Sequence, residues 1–171
     1  DVYYEEKSPQ TRQRFIKNLR KACDWAEEAQ VVLAIEIMDD PFINSIEKYL
    51  AVEKEIDSPY LFVYPDIGNV SAWHNDVYSE FYLGHHAIAA LHLKDTYAVT
   101  ESSKGQFRDV PFGQGCVKWE EAFDILKQTN YNGPFLIEMW SENCETVEET
   151  RAAIQEAQAF LYPLIKKAGL M

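Results

Sequence analysis

The sequence predicts an α/β fold of parallel β-α-β units, and three features carry that reading. Four short runs are nearly continuous in apolar character: Val31-Val32-Leu33-Ala34-Ile35-Glu36-Ile37, Tyr60-Leu61-Phe62-Val63-Tyr64-Pro65-Asp66, Ile88-Ala89-Ala90-Leu91-His92-Leu93-Lys94 and Phe135-Leu136-Ile137-Glu138-Met139-Trp140. Runs of that length, rich in branched and aromatic residues, are how strands buried on both faces read. The stretches between them have helical periodicity, and strands alternating with helices make parallel units. No linker, repeat or low-complexity tract divides the 171 residues, so 1–171 reads as one domain.

The elements follow in order. Val2-Tyr3-Tyr4 reads as the end of an earlier strand. Residues 11–29 place Phe15, Leu19, Ala22 and Ala26 on one stripe, which predicts a helix. After the first apolar run, Ser45 opens a second helix carrying Ile46, Tyr49, Leu50 and Ile56. Asp76 stands as the cap of a further helix that carries Phe81. The stretch from Asp95 to Val117, with Gly105, Gly113 and Gly115, reads as a single long loop. Loops of that length in compact domains are usually functional or disordered. Trp119, Ala122, Phe123 and Leu126 mark another helix. Val147 through Ile165 forms the last one, where Pro163 predicts a break or kink.

Composition narrows the function class. There are 28 acidic and 16 basic residues, for a net charge of −12. That field repels polyanions, and no basic run tracks phosphates, so no nucleic-acid partner is expected. No apolar stretch approaches the roughly 18 residues of a membrane helix, and no signal-peptide pattern opens the chain. The first residues read as the middle of a longer sequence. Cys23, Cys116 and Cys144 are odd in number and lack zinc spacing, which suits a reducing compartment. A soluble, acidic, cytoplasmic protein without a membrane partner is the expectation.

The informative feature is positional. Each apolar run carries one metal-competent or proton-competent side chain near its C-terminal end: Glu36, Asp66, His92 and Glu138. By strand phase, Glu36 shares a face with Ala34 and Val32, and His92 with Ala90 and Ile88. In α/β folds ligands bind outside the carboxyl ends of the strands, and barrels draw catalytic residues from several strand ends. Two Glu, one Asp and one His meeting there make an oxygen-rich, single-nitrogen site for a divalent cation, with Mn²⁺, Mg²⁺, Co²⁺ and Zn²⁺ all open. A lone Glu or His at a strand end is more often a cap or a salt-bridged structural residue. Four at one depth in four strands are harder to assign to packing. Asp39 and Asp40 suit a helix cap, and His74, His85 and His86 suit solvated or packing roles. Glu145, Glu148 and Glu149 read as a favourable first helical turn. Trp73, Trp119 and Trp140 read as core or pocket wall. Lys94 and Asp95 remain open between a strand-end ion pair and substrate contacts.

At these residues the sequence resembles a known family. Leu33-Ala34-Ile35-Glu36-Ile37-Met38-Asp39, Tyr64-Pro65-Asp66-Ile67-Gly68-Asn69, Leu91-His92-Leu93-Lys94-Asp95, Phe107-Arg108-Asp109-Val110-Pro111-Phe112-Gly113-Gln114-Gly115 and Phe135-Leu136-Ile137-Glu138-Met139-Trp140 look like L-xylulose-5-phosphate (L-ribulose-5-phosphate) 3-epimerase. Members also carry the label hexulose-6-phosphate isomerase, and the group belongs to the xylose-isomerase-like (β/α)₈ barrels. The resemblance implies the C-terminal portion of a TIM barrel, about four parallel strands with flanking helices. It also implies a metal held by Glu36, Asp66, His92 and Glu138, with the two glutamates as the proton-transfer pair. Arg108 matches a substrate-contacting arginine, and Lys94 and Asn69 join it as substrate-binding positions. Asn69 stands where the sugar-epimerase relatives have histidine.

The implied reaction is epimerisation at C3 of a ketose phosphate, L-xylulose 5-phosphate to L-ribulose 5-phosphate, through an enediolate. Its phosphate is expected at the loops after the last two strands, where barrels commonly bind it. Rivals are an aldose–ketose (hexulose-6-phosphate) isomerase, a metal-dependent endonuclease at abasic sites, and an inactive half-barrel. The net charge of −12 argues against the nuclease. A half-barrel also leaves an apolar inner face and two sheet edges uncovered, so a homo-oligomer is expected.

Overall fold

The computed structural model describes residues 6–171. The strand ending read at Val2-Tyr3-Tyr4 lies outside the described residues. Helix α1 (Pro9–Ala29) opens where Ser8 accepts a hydrogen bond from the Thr11 amide at 3.1 Å with Pro9 in the first turn, and stops at Gln30 in the left-handed region (φ 55°). It buries Ile16, Cys23 and Ala26, while Phe15, Leu19 and Ala22 of the stripe read from the sequence are half-buried at its edge.

Strand β1 (Leu33–Ile37) follows, then α2 (Ile46–Ile56), capped by Ser45. Strand β2 (Leu61–Pro65) runs parallel to β1, with Glu36 opposite Tyr64. Val31 and Val32 lie before β1 and are more than half exposed, so the first apolar run is longer than its strand. Beyond β2 come α3 (Ile67–Ala72) and α4 (Val77–Gly84), the latter capped by Asp76 and burying Phe81 completely. Strand β3 (Leu91–Leu93) joins β2 through parallel bridges Val63↔Ile88 and Asp66↔His92. Strand β6 (Phe135–Ile137) pairs with β3, Leu91 opposite Phe135. The parallel order is therefore β1-β2-β3-β6, a partial TIM barrel of the xylose isomerase-like type with helices on one side.

Two expectations need correction. The segment from Asp95 to Val117 is not one loop: strands β4 (Asp95–Tyr97) and β5 (Gln106–Val110) form an antiparallel ribbon, with Asp95 opposite Val110. Strand β5 is mostly exposed and lacks the apolar alternation that reveals a half-buried strand. Nor does the last helix break at Pro163. After α5 (Trp119–Gln128), α6 (Val147–Ala168) runs through the proline to a left-handed Gly169. Proline removes one backbone donor, but the buried Leu161 and Ile165 on either side anchor both halves in the core.

The two faces of the sheet differ. Ile37, Leu61, Val63, Leu91 and Leu93 are buried and share one cluster with Ile46, Tyr49 and Val52 of α2, Phe81 of α4, Phe123 and Leu126 of α5 and Leu161 of α6. The opposite face carries Ala34, Glu36, Phe62, Tyr64, His92 and Leu136, all exposed or half-buried, with Leu136 at 45%. That is the alternation expected of residues two apart on a strand.

Candidate metal centre

Each polar side chain of this open face reaches the cleft for a local reason. Glu36 lies on β1 one residue before its end, on the face of Ala34. Asp66 directly follows β2 and caps α3: Oδ1 accepts the Asn69 amide hydrogen bond at 2.8 Å, leaving Oδ2 free to face inward. His92 is the middle residue of β3, its ring against Tyr64 at 4.2 Å between centroids. Glu138 directly follows β6 and is held by its amide donating to the Leu93 carbonyl at 3.0 Å. Capping and ligand geometry thus coexist at Asp66, one oxygen to each.

The four side chains converge. One ligand atom from each of Glu36, Asp66, His92 and Glu138 lies within 4.8 Å of all the others. His92 Nδ1 is 2.9 Å from Glu36 Oε1, 3.2 Å from Glu138 Oε2 and 3.9 Å from Asp66 Oδ2. Asp66 Oδ2 and Glu138 Oε2 are buried without a hydrogen-bond partner among the described residues. Such oxygens are costly to leave unsatisfied unless something charged meets them. Three carboxylates and one imidazole suit a divalent cation, and these two oxygens face the point where it fits.

The electrostatics follow from crowding three carboxylates around one imidazole. Burial pushes the Asp66 carboxyl well above the usual range, against the pull of Lys94. Burial also raises Glu138, but His92, Asp66 and Lys94 around it more than reverse this, to about 2. Burial disfavours a charged imidazole at His92, yet Glu138 and Glu36 together outweigh it and lift its pKa to about 9.

The open alternatives at Lys94 and Asp95 separate. Lys94 is 6% exposed and its Nζ lies 3.3 Å from both Asp66 Oδ2 and Glu138 Oε2. Asp95 faces away from the cluster and organises the following turn. Its carboxylate accepts hydrogen bonds from the amides of Thr96, Gly113, Gly115 and Val117 and from Trp119 Nε1. A Cβ at Gly115 would collide with that carboxylate.

Asn69 and Arg108 line a small cleft of about 90 Å³ beside Glu36, Lys94 and Glu138. Asn69 Nδ2 donates to the Ile37 carbonyl at 3.0 Å, and its Oδ1 is buried and unpaired among the described residues. Trp140, read from the sequence as core or pocket wall, lines both cavities, and Tyr64 is a contributor to which the sequence reading assigns no role. Trp140 stands between two cations, Lys94 Nζ at 5.1 Å and Arg108 Cζ at 5.0 Å from its ring centroid. Tyr64 carries a buried, unpaired hydroxyl beside His92. Strand phase alone reveals Tyr64, since it shares the face of Phe62. A larger cavity of about 420 Å³ adjoins the cleft, sharing Lys94, Glu138 and Trp140 and reaching Phe112, Phe160, Asp109 and Glu156. The exposed His85 and His86 and the left-handed His74 lie apart from the centre.

The profile of the xylose isomerase-like TIM barrels matches residues 2–164. The chain is 50% identical to a putative L-ribulose-5-phosphate 3-epimerase of Haemophilus influenzae strain Rd, over all of this chain and 59% of that protein. It is 45% identical to an L-ribulose-5-phosphate 3-epimerase of Escherichia coli O157:H7, again over its full length and 57% of the relative. The chain thus spans somewhat more than half the length of these relatives. Among solved structures, an L-ribulose 3-epimerase superposes with TM-score 0.76 over 96% of this chain and 57% of that one, at 18% identity. A xylose isomerase domain protein from Planctomyces limnophilus gives 0.75 over 98% and 56%, at 20% identity. At such identities the likeness is one of fold.

Proposed function

The chain belongs to the xylose isomerase-like TIM barrel family, and from that premise we propose that it carries the catalytic centre of a metal-dependent ketose-phosphate 3-epimerase. The observation that carries the reading is the convergence of Glu36, Asp66, His92 and Glu138 within 4.8 Å on an open sheet face. Relatives at 45–50% identity that bear the name L-ribulose-5-phosphate 3-epimerase support the substrate class. The four residues hold the ion, with Mn²⁺, Zn²⁺, Co²⁺ and Mg²⁺ all compatible with three oxygens and one nitrogen. When bound, a divalent cation supplies Lewis-acid polarisation of the substrate carbonyl.

The chain's own groups do the rest. Inverting C3 of L-xylulose 5-phosphate requires removing the proton next to the C2 carbonyl and returning one to the opposite face. Glu36 and Glu138 reach the centre from β1 and from the end of β6, with β2 and β3 between them, which suits one carboxylate to each face of the enediolate. Asn69 Oδ1, unpaired among the described residues, is an acceptor for a sugar hydroxyl, its side chain fixed by one amide hydrogen donated to the Ile37 carbonyl. Arg108, stacked on Trp140, offers a fixed fork to a hydroxyl or the phosphate. The larger cavity, walled by the loops after β5 and β6, is acidic at Asp109, Glu138 and Glu156, so Arg108 and Lys94 are the cations nearest the phosphate.

The remaining parts of the reading follow. The small-molecule partner is a sugar phosphate, the location cytoplasmic, and the half-exposed inner face supports self-association. A net charge of −12 speaks against nucleic acid, and no described helix is long and apolar enough to cross a membrane. The test is conversion of L-xylulose 5-phosphate to L-ribulose 5-phosphate by Mn²⁺-loaded protein, with solvent deuterium entering at C3. An aldose product carrying solvent deuterium at C2 would instead establish an aldose–ketose isomerase.

A further inference from the structure

Lysine is almost never fully buried without a partner. Lys94 is 6% exposed, and its partners are two of the four proposed metal ligands. Its Nζ is equidistant, at 3.3 Å, from Asp66 Oδ2 and Glu138 Oε2. Those are the same two oxygens that are buried without hydrogen bonds, so what meets them is charge rather than directed bonding. The indole of Trp140, 5.1 Å from Nζ to ring centroid, covers the ammonium on another side. Lys94 also lines both cavities, which places it at their junction with Glu138 and Trp140.

We propose that Lys94 is a built-in cation that competes with the divalent ion for Asp66 and Glu138, holding the centre assembled before the ion arrives and loosening its grip afterwards. This rests on the metal-centre reading above. Asp66 is completely buried, and the half-buried carboxylate of Glu138 beside it repels it unless a positive charge lies close by. Lys94, two residues past His92 in the link between β3 and β4, supplies that charge, so the cage stands preformed. The ion then enters a site already partly neutralised. Three ionised carboxylates are balanced by one divalent ion and one lysine, whereas without the lysine they carry an excess negative charge toward the ion. Two positive charges sharing the same pair of oxygens repel each other strongly in a site of low dielectric. Lys94 therefore lowers affinity for the ion and keeps it exchangeable.

The test is Mn²⁺ binding by calorimetry at one fixed pH, together with thermal melts in chelator, for wild type, Lys94→Met and Lys94→Gln. Methionine keeps the length and apolar stem without the charge, and glutamine keeps a polar end. Both variants should bind Mn²⁺ at least about tenfold more tightly than wild type. In chelator both should melt below wild type, and Mn²⁺ should raise their midpoints further than it raises that of wild type. If either variant is folded and binds Mn²⁺ no more tightly than wild type, the competition is refuted while the metal centre survives. If none of the three proteins binds Mn²⁺, the metal centre falls and this inference falls with it. A variant that folds only when Mn²⁺ is added supports the role of Lys94 in preassembly.

Discussion

Replacing Asp95 by asparagine should cost the fold about 3 kcal/mol, because every neighbour of that carboxylate is a donor. Oδ1 accepts from the Thr96 amide at 2.9 Å and the Val117 amide at 3.3 Å. Oδ2 accepts from the amides of Gly113 at 2.8 Å and Gly115 at 3.1 Å and from Trp119 Nε1 at 3.4 Å. Asparagine presents an NH₂ group to one of these two sets, whichever way it turns. The cheaper orientation sacrifices the Oδ1 side, two hydrogen bonds to a buried charged group at roughly 1.5 kcal/mol each. For a protein of this size about 3 kcal/mol lowers the melting midpoint by about 6–12 °C. Gly115→Ala should act through the same contact, since its Cβ collides with the carboxylate. The two changes should therefore be markedly non-additive in a double-mutant cycle. Urea unfolding and thermal melts of the four proteins measure this. A loss below about 1 kcal/mol for Asp95→Asn, or simple additivity with Gly115→Ala, refutes the reasoning.

Other expectations are briefer. In the metal-loaded protein, Glu36→Gln and Glu138→Gln should each abolish epimerisation of L-xylulose 5-phosphate, and near-normal turnover in either one overturns the assigned pair. Against burial, Glu138 and Glu36 lift the His92 pKa to about 9, and a metal ligand must shed that proton. Mn²⁺ affinity should therefore rise with pH by about tenfold per unit between about 7 and 9, then level off. Calorimetry in two buffers of different ionisation heat reads the released proton, and finding none removes His92 from the ligand set. Prepared as these 171 residues, the protein exposes Leu136, Val31 and Val32 at 45–55% around an open sheet face, so it should self-associate at micromolar concentration. A monodisperse 19.8 kDa species in sedimentation equilibrium counts against that.

Much of this architecture is legible without coordinates, because it is local. Ser45 and Asp76 begin their helices where a side-chain acceptor precedes an apolar period, since an N-cap needs only its next three residues. The strands β1, β2, β3 and β6 lie inside the apolar runs that announce them, and alternation puts Glu36 and His92 on the face opposite the core. Helix α3 escapes the same reading. It is six residues long and contains Gly68 and Ser71, too short for a period to show. Pro163 does not break α6, since propensity counts the lost hydrogen bond but not the burial of Leu161 and Ile165.

What the sequence determines by itself, then, is which residues lie at strand ends and which face they share, for both follow from a two-residue repeat along one strand. The partners are decided only in three dimensions. Strand β5 finds β4 across a turn, on an exposed ribbon with no apolar signal to betray it. Lys94 and Asp95 are adjacent and opposite in charge, and the chain alone leaves them as a pair. The pleat turns them apart, so that Lys94 meets Asp66 and Glu138 while Asp95 gathers the amides of a turn some twenty residues on. Charge interactions act through space and at short range, so which carboxylate a lysine neutralises depends on how distant strands are brought into register.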